Sequence, residues 1–329
     1  MRRVTVLGDG GWGTCLAILL SERGHSVTLW GAFPEYVAEM ARRRENLKFL
    51  PGAKIPSSVK LTAKIPEALT DPEAIIVAVP SQYLREVLKG CGGAGWERAL
   101  TVSVVKGIEP ETLLRMSELI AELVPVRRLA VLSGPTISYE VARRIPTTAV
   151  AASQDAAAAR EVQELLNSEQ FRIYTAPDVI GVELGGALKN VIAIACGVAD
   201  GLGFGTNTKA GLATRGLVEM ARLGTAMGAD AKTFSGLSGL GDLITTCFSP
   251  HSRNRSVGEK LGKGMPLAEV IRGMEQVAEG IATAQSAYTL SRKHRVEMPI
   301  ASAVYEVLYE GKPPQEAVRD LMLRDPKAE

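Results

Sequence analysis

The chain has 329 residues, of which 46% are hydrophobic and 22% charged, and its formal net charge is +2 at pH 7. This length allows two domains, and the composition is that of a globular protein able to fill its cores, not of a disordered chain. The small charge gives no reason to expect a nucleic acid partner, and four scattered cysteines without a C-x-x-C pair predict neither a disulfide framework nor a metal site.

The N-terminus has some features of a secretory signal peptide, because Arg2 and Arg3 precede an apolar run. The glycines from Gly8 to Gly13 interrupt that run, and no small-residue cleavage site follows it. No uncharged apolar stretch reaches the roughly 18–20 residues that a membrane span requires. Together with the unpaired cysteines, this predicts a cytoplasmic protein without a membrane span.

A glycine-rich turn follows the first predicted strand, residues 4–7. Gly8, Gly10 and Gly13 form a Gly-x-Gly-x-x-Gly pattern that opens an apolar helix, and a second strand is predicted over 26–30. The first glycine permits the tight turn, the second lets a pyrophosphate approach the backbone, and the third lets helix and strand pack closely. The helix N-terminus attracts phosphate. The context predicts dinucleotide binding; the alternative is a glycine-rich turn in another α/β protein.

Strands and helices continue to alternate through residue 177. Further strands are predicted over 59–62, 74–80, 100–105, 129–132, 147–152 and 171–174, and helices over 34–44, 66–69, 83–89, 111–123 and 155–166, with a loop over 46–58. The run at 74–80 is continuously apolar, which is typical of a parallel strand covered on both faces. The prediction for residues 1–177 is a doubly wound, Rossmann-type domain with a parallel sheet.

Helical periodicity dominates from residue 178, and strand patterns disappear. Helices are predicted over 179–199, 209–227, 266–271, 282–294, 299–309 and 314–323. Glycine after two of them, at Gly228 and Gly311, and proline at the start of two, at Pro266 and Pro299, are typical helix boundaries. We therefore predict that residues 178–329 form an all-α domain, and the fold class is α/β followed by all-α.

Hydride transfer from a nicotinamide needs an acid/base and anchors for the substrate. The three histidines are better explained as surface residues. Lys189 lies in an apolar helix rich in small residues, beside Asn190 and after Gly185 and Gly186. Burial there would lower its pKa toward the range of a general base, whereas the alternative is a lysine whose ammonium reaches solvent.

Three other positions are candidates for substrate contacts. Lys106 follows a central predicted strand, at the end where α/β sheets bind ligands. Asp242 lies among glycines and apolar residues, so it needs a partner if buried, and Lys189 is a plausible one. Residues 251–255 concentrate donors that suit a phosphate or a carboxylate; the alternative is an ordinary polar loop.

Taken in chain order, the motifs of this sequence resemble those of the bacterial-type NAD(P)-dependent glycerol-3-phosphate dehydrogenases over nearly the whole chain. The resemblance is carried by residues 8–14, 29–31, 49–52, 78–81, 106–109, 133–136, 184–192, 239–246, 252–255, 298–300 and 307–312. It implies reversible hydride transfer between NAD(P)H and dihydroxyacetone phosphate, which supplies glycerol 3-phosphate for phospholipid synthesis. It also implies a homodimer and the two-domain fold described above.

The resemblance assigns roles to particular residues. Lys189 would accept the proton in oxidation and donate it in reduction, Lys106 would contact substrate and cofactor, and Asp242 would orient the reacting end, with Asn190 and Thr246 nearby. The phosphate end would be held by Ser252, Arg253 and Asn254, helped by Gly134 and Thr136. The implied cofactor-binding residues are Gly8, Gly10, Gly11, Trp12, Gly13, Ala32, Pro80, Lys106, Ser138, Arg253, Val277 and Glu279, and no metal is implied.

Two departures from the family pattern lie near the expected cofactor. Asp9 stands where the family usually has alanine. A carboxylate turned inward would repel the pyrophosphate, so we expect Asp9 to face solvent. Thr136, Ile137 and Ser138 replace the usual Ser-Phe-Ala, which keeps a hydroxyl but alters packing on the nicotinamide side.

A third departure concerns the cofactor's ribose. Ala32 and Phe33 replace a polar pair, so the acid that would bind the ribose 2′-OH is missing, and Glu35 is the nearest candidate. The basic residues 42–44 could attract a 2′-phosphate if that part of the helix folds inward. These observations favour NADPH over NADH.

Two alternatives remain at this point. One is another two-domain dehydrogenase that acts on a 3-hydroxy acid, with Arg253 binding its carboxylate. The other is a nicotinamide-sensing module without catalysis. The joint presence of Lys106, Lys189 and Asp242 with Arg253 argues against the second.

Overall fold

The computed structural model describes residues 1–93, 95–274 and 276–326. The chain forms two compact units: Met1–Lys106 with Leu114–Glu183, and Gly107–Leu113 with Leu184–Glu329. We call them the first and the second unit.

The first unit is built around an eight-stranded sheet. Its elements are β1 (Arg3–Leu7), α1 (Gly11–Glu22), β2 (Ser26–Trp30), α2 (Pro34–Arg43), β3 (Glu45–Asn46), β4 (Leu50–Lys54), β5 (Lys60–Thr62), α3 (Ile65–Ala68), β6 (Ala74–Val77), α4 (Ser81–Lys89), β7 (Leu100–Ser103), α5 (Met116–Leu123), β8 (Arg128–Ser133), α6 (Ser138–Ala142), β9 (Thr147–Ala152), α7 (Ala156–Leu166) and β10 (Phe171–Ala176). The sheet order is β10-β9-β8-β7-β6-β1-β2-β5. The predicted Rossmann-type fold is confirmed.

Apolar side chains cover both faces of this sheet. On β6, Ile76 belongs to the cluster that contains Leu16 of α1, whereas Ile75 and Val77 belong to the cluster that contains Leu84 of α4. All four residues of β6 are fully buried, which explains the continuous apolar run in the sequence.

One strand pair departs from the predicted parallel arrangement. β8 and β9 pair antiparallel, so β9 and β10, which are parallel to each other, run against the rest of the sheet. The chain between β8 and β9 contains only the five-residue helix α6. At about 1.5 Å per residue, such a helix is too short to carry the chain back along a six-residue strand.

Two predictions about local structure in the first half were wrong. The region predicted as a loop over 46–58 contains most of the antiparallel hairpin of β3 and β4. The helix predicted over 111–123 begins only at Met116, where the Glu118 carboxylate accepts from the backbone N–H of Arg115, the N-cap residue, at 2.9 Å. The segment Gly107–Leu113 belongs instead to the second unit.

The second half of the chain is helical, as predicted. It contains α8 (Val179–Gly201), α9 (Thr206–Ala226), a 3-10 turn (Ala231–Ser235), a π-helical turn (Leu237–Gly241), α10 (Asp242–Phe248), α11 (Arg253–Gly262), α12 (Leu267–Arg272), α13 (Glu279–His294), α14 (Pro299–Tyr309) and α15 (Pro314–Met322). No strand occurs within 184–274 or 276–326. Sequence periodicity did not predict α10 or α11.

Helix α8 is apolar and long enough to cross a membrane. However, 89% of its most apolar segment is buried inside the protein, which is the property of a core helix. The same burial encloses the side chain of Lys189.

Candidate active site

The glycine-rich turn has the shape that a dinucleotide requires. Gly8 has φ +115°, and a Cβ there would lie 2.6 Å from the Ala78 carbonyl oxygen. A Cβ at Gly13 would lie 1.9 Å from the Gly8 carbonyl oxygen, whereas a Cβ at Gly10 would meet nothing within 4 Å. Gly8 and Gly13 are therefore needed for packing, whereas Gly10 leaves open space over the N-terminus of α1. The turn fits the pyrophosphate of an NAD(P) cofactor.

The carboxylate of Asp9 points inward, so the expectation that it faces solvent was wrong. Its Oδ2 atom is buried, and a Cβ at Gly31 would lie 2.2 Å from it. Burial raises the pKa of the Asp9 carboxyl to about 6, against the opposing effects of its own backbone N–H and of the Lys48 charge. The Asp9 carboxylate can occupy this space only because Gly31 has no side chain.

Asn46 holds the backbone of this turn. Its Nδ2 atom donates to the Asp9 carbonyl oxygen at 2.8 Å and to the Thr14 hydroxyl at 2.7 Å, and its Oδ1 atom accepts from the Tyr36 hydroxyl at 2.6 Å. The side chain is fully buried. Sequence reasoning missed it because the residue fell in a predicted loop, where asparagine is ordinary.

Other residues assigned to the cofactor lie around the same turn. The Ser138 hydroxyl is 3.1 Å from the Cβ position of Gly11. The indole ring of Trp12 packs edge-on against Phe171, with 6.1 Å between centroids. Ala32 is exposed directly after β2, and Pro80 is the N-cap of α4.

Lys106 follows β7 and lies beside the chain that follows β8. Its Nζ atom donates to the Gly134 carbonyl oxygen at 2.9 Å and contacts the Thr136 hydroxyl at 3.3 Å. Gly134 has φ +133°, a conformation that favours glycine. Three residues assigned to the substrate thus form one cluster within the first unit.

Lys189, Asp242 and Thr246 form a buried cluster in the second unit. The Lys189 Nζ atom lies 2.7 Å from Asp242 Oδ1 and 2.6 Å from the Thr246 hydroxyl. The lysine and aspartate side chains are only 7% and 2% exposed. The Thr246 hydroxyl in turn donates to the Asp242 carbonyl oxygen at 2.7 Å. The predicted pairing of Asp242 with Lys189 is present.

Glycines bring the two halves of this cluster together. A Cβ at Gly185 of α8 would lie 2.7 Å from the Ser238 carbonyl oxygen, in the π-helical turn directly before Asp242. A Cβ at Gly239 would lie 2.1 Å from the Phe234 carbonyl oxygen. Irregular π turns often occur at functional sites, and this one places Asp242 at the start of α10.

A chain of amides links three helices beside this cluster. Asn254 of α11 donates from Nδ2 to Asn190 Oδ1 on α8 at 2.8 Å, and its Oδ1 atom accepts from the Gly280 N–H of α13 at 2.9 Å. A Cβ at Gly280 would lie 2.7 Å from the Asn254 Oδ1 atom. Asn190 is thus held in place by Asn254, to which the family resemblance assigns a contact with the substrate phosphate.

Helix α11 packs on α8 through two pairs of glycines spaced by four residues. Cβ atoms at Gly197, Gly201, Gly258 and Gly262 would each lie 2.0–2.5 Å from a backbone oxygen of the opposite helix. These repeated Gly-x-x-x-Gly spacings are the sequence signal that would have identified α11 as a packed helix. The contact fixes the start of α11 relative to Lys189.

A cation-lined cavity of about 230 Å³ lies at the start of α11. Ser252, Arg253, His251 and Lys260 contribute to its lining. Ser252 is the N-cap and accepts from the Arg255 N–H at 3.2 Å, and the Arg253 guanidinium donates to the Val277 carbonyl oxygen at 2.8 Å. This arrangement suits an anion. Glu279, the remaining cofactor candidate, begins α13.

Comparison with known proteins agrees with these features. The model of the NAD-dependent glycerol-3-phosphate dehydrogenase N-terminus matches residues 3–159, and that of the C-terminus matches residues 178–319. The NAD(P)+ glycerol-3-phosphate dehydrogenase of Bacillus pumilus is 50% identical over 98% of this chain and 95% of its own length. The chain belongs to the glycerol-3-phosphate dehydrogenase family.

Further relatives support the same assignment. The enzyme of Geobacter metallireducens is also 50% identical, over 99% of this chain and 98% of its own length. The crystal structure of glycerol-3-phosphate dehydrogenase from Coxiella burnetii matches with a TM-score of 0.94 at 35% identity, covering 98% of this chain and 99% of that one. The resemblance in the sequence is confirmed: the chain is an NAD(P)-dependent oxidoreductase acting on a CH–OH group.

Proposed function

We propose that Lys189 carries the proton in the glycerol-3-phosphate dehydrogenase reaction, the interconversion of dihydroxyacetone phosphate and glycerol 3-phosphate. The NAD(P) cofactor supplies or accepts the hydride at C2 of the substrate. The observation that carries the proposal is the buried contact of Lys189 with Asp242 and Thr246, which places a polar cluster inside an apolar helix layer.

The ion pair with Asp242 stabilises the ammonium form of Lys189. An ammonium is the form that donates a proton to the carbonyl oxygen of dihydroxyacetone phosphate during reduction. In oxidation, the neutral amine accepts the proton of the C2 hydroxyl. Asp242 and Thr246 hold the Nζ atom in position throughout, and Asn190, fixed by Asn254, borders the same site.

The substrate phosphate is bound by Ser252, Arg253 and Asn254, at the start of α11. Support comes from the helix N-terminus, which favours an anion, and from the cavity there, whose lining includes Ser252 and Arg253 but not the buried Asn254. Lys106, whose Nζ atom is held by Gly134 and Thr136 in the first unit, stays a predicted substrate contact. Binding of the phosphate at the start of α11 predicts that a phosphorylated substrate is needed.

Residues 1–177 bind the cofactor, and residues 178–329 bind the substrate. Within the first unit, the dinucleotide contacts Gly8, Gly10, Gly11, Trp12, Gly13, Ala32, Pro80, Lys106 and Ser138. The cofactor contacts of Arg253, Val277 and Glu279 stay predictions of the family resemblance. The working form is a cytoplasmic homodimer that supplies glycerol 3-phosphate for phospholipid synthesis.

The test is the initial rate of NADH and of NADPH oxidation with dihydroxyacetone phosphate, followed at the nicotinamide absorbance. Rapid oxidation with this substrate, and none with unphosphorylated dihydroxyacetone, is expected. A protein that binds dinucleotide but oxidises neither cofactor would contradict the proposal, and a panel of 3-hydroxy acids would then identify the substrate.

A further inference from the structure

The ends of β1 and β2 bring Asp9 beside Gly31. The two strands pair in parallel with Leu7 opposite Trp30, and the Gly8 N–H donates to the Trp30 carbonyl oxygen at 3.0 Å. Asp9, two residues beyond β1, therefore lies next to the first residue beyond β2. Asn46 fixes it there by its bond to the Asp9 carbonyl oxygen.

The Asp9 carboxylate occupies the space that a side chain at position 31 would fill. A Cβ at Gly31 would be 2.2 Å from Asp9 Oδ2 and 2.8 Å from the Val37 side chain. The Oδ2 atom is buried and accepts no hydrogen bond from the residues that the structure describes. A buried carboxylate oxygen without a donor is unfavourable, and a ligand hydroxyl that reached this carboxylate would supply one.

The Asp9 carboxylate lies at the end of the second strand, where dinucleotide-binding folds contact the ribose of the cofactor. In such folds an acid at the end of the second strand accepts from the 2′-OH of NAD(H). Here the residues after β2 are Gly31, Ala32 and Phe33, none of which is acidic. Glu35 lies in the first turn of α2 and is exposed. The glycine-rich turn thus supplies the carboxylate that the second strand lacks.

Two of the three arginines expected to bind a 2′-phosphate have other partners. Arg43 forms an ion pair with Glu39 at 2.8 Å. The Arg44 guanidinium donates to the carbonyl oxygens of Ile55 and Val59, at 3.2 and 3.0 Å. The sequence-based preference for NADPH rested on an absent acid and on residues 42–44. The buried Asp9 carboxylate weakens the first reason, and the contacts of Arg43 and Arg44 weaken the second, whereas Arg42 is exposed on the last turn of α2.

We propose that Asp9 determines the cofactor preference: its carboxylate accepts a hydrogen bond from the adenosine ribose of NAD(H) and repels the 2′-phosphate of NADP(H). The inference rests on the proposed binding of the dinucleotide by residues 1–177. It assigns to an acid inside the glycine-rich turn the task usually performed by an acid after the second strand, and it predicts a preference for NADH.

Equilibrium binding to the full chain tests this directly, with ADP-ribose and 2′-phospho-ADP-ribose as probes that lack the nicotinamide. Calorimetric titration is carried out on the unmodified protein and on the variants Asp9→Asn, Asp9→Ala and Glu35→Ala. It gives one dissociation constant for each combination of protein and probe. The unmodified protein is expected to bind ADP-ribose at least about tenfold more tightly, because like charges at a ligand site are strongly disfavoured. Asp9→Asn should keep most of the ADP-ribose affinity and bind the 2′-phosphate probe more tightly, whereas Asp9→Ala should also lose ADP-ribose affinity.

The remaining outcomes are equally informative. Glu35→Ala should leave the ratio of the two constants unchanged, since that side chain is exposed on α2. An equal ratio in Asp9→Ala and the unmodified protein, or a ratio that moves with Glu35 instead, would overturn the role of Asp9 while leaving dinucleotide binding intact. Absence of binding by either probe and by NADH would overturn the dinucleotide site itself.

Discussion

The Lys189 ammonium and the Asp242 carboxylate form an ion pair of 2.7 Å in which both side chains are almost completely buried. Burial of a charge is unfavourable, and only a close partner offsets it. Removing one member leaves the other charge buried without compensation, whereas removing both restores neutrality. The pair therefore affects both turnover and the free energy of unfolding. Single and double substitutions can separate these two effects.

Asp242→Asn should abolish most turnover and lower the free energy of unfolding by up to about 3–5 kcal/mol, because Lys189 loses its counter-charge. The double variant Lys189→Met with Asp242→Asn should recover much of the stability and none of the activity. Denaturant unfolding and steady-state kinetics measure the two effects. Wild-type turnover in Asp242→Asn would show that the pair is not part of the reaction.

Arg253→Ala should raise KM for dihydroxyacetone phosphate, since a charge-assisted contact in a binding site is typically worth about 2–5 kcal/mol when truncated. The matched control is Lys263→Ala, which removes an exposed cation at the other end of α11. Steady-state kinetics of both variants give the comparison. An unchanged KM in Arg253→Ala, or an equal rise in Lys263→Ala, would exclude a phosphate contact at Arg253.

Two glycines of the turn should respond differently to the same substitution. Gly13→Ala places a Cβ 1.9 Å from a backbone oxygen and should destabilise the fold, whereas Gly10→Ala meets no protein atom within 4 Å. Gly10→Ala should therefore keep the melting temperature but lose NADH affinity, since its methyl group occupies the path of the pyrophosphate. Thermal unfolding and NADH titration separate the two effects. Tight NADH binding by Gly10→Ala would place the pyrophosphate elsewhere.

The buried Asp9 carboxyl should make stability depend on pH. Its pKa is raised from 3.8 to about 6 by burial, so its contribution to stability is fully present below pH 3.8 and is lost as the pH rises through about 6. Lys48 and Tyr36 are the neighbouring titratable groups. Asp9→Asn should be more stable than the unmodified protein at pH 8, by at most about 3 kcal/mol, and the difference should shrink toward pH 4.5. Unfolding in urea at pH 8 and at pH 4.5 measures this difference in the free energy of unfolding. A difference that does not depend on pH would show that Asp9 does not titrate in this range.

Features that depend on local sterics could be predicted from the sequence. The packing roles of Gly8 and Gly13 follow from backbone geometry alone, and both glycines lie against backbone atoms in the structure. The structure leaves open space at Gly10, and its pyrophosphate contact stays a prediction. The pairing of Lys189 with Asp242 was also predictable, because each is an ionisable residue within an apolar segment and needs a partner.

Features that depend on distant residues could not be predicted in this way. The direction of the Asp9 side chain is decided by the missing Cβ of Gly31, which directly follows β2. The reversal of β9 depends on the short connection through α6, since the pattern within a strand does not encode its direction. Helix α11 was missed because its residues Arg253–Gly262 are mostly polar and its packing surface is made of glycine.

Replacement of Lys189 by alanine, assayed by the initial rate of NADH and NADPH oxidation with dihydroxyacetone phosphate, tests the proton-transfer role most directly. Turnover should fall by about 10²–10⁴, the usual contribution of general acid–base catalysis, while the dissociation constant of the cofactor stays unchanged. Small primary amines added to the assay should restore part of the rate. Turnover within a few-fold of the unmodified enzyme, with no response to amines, would assign the proton to another residue.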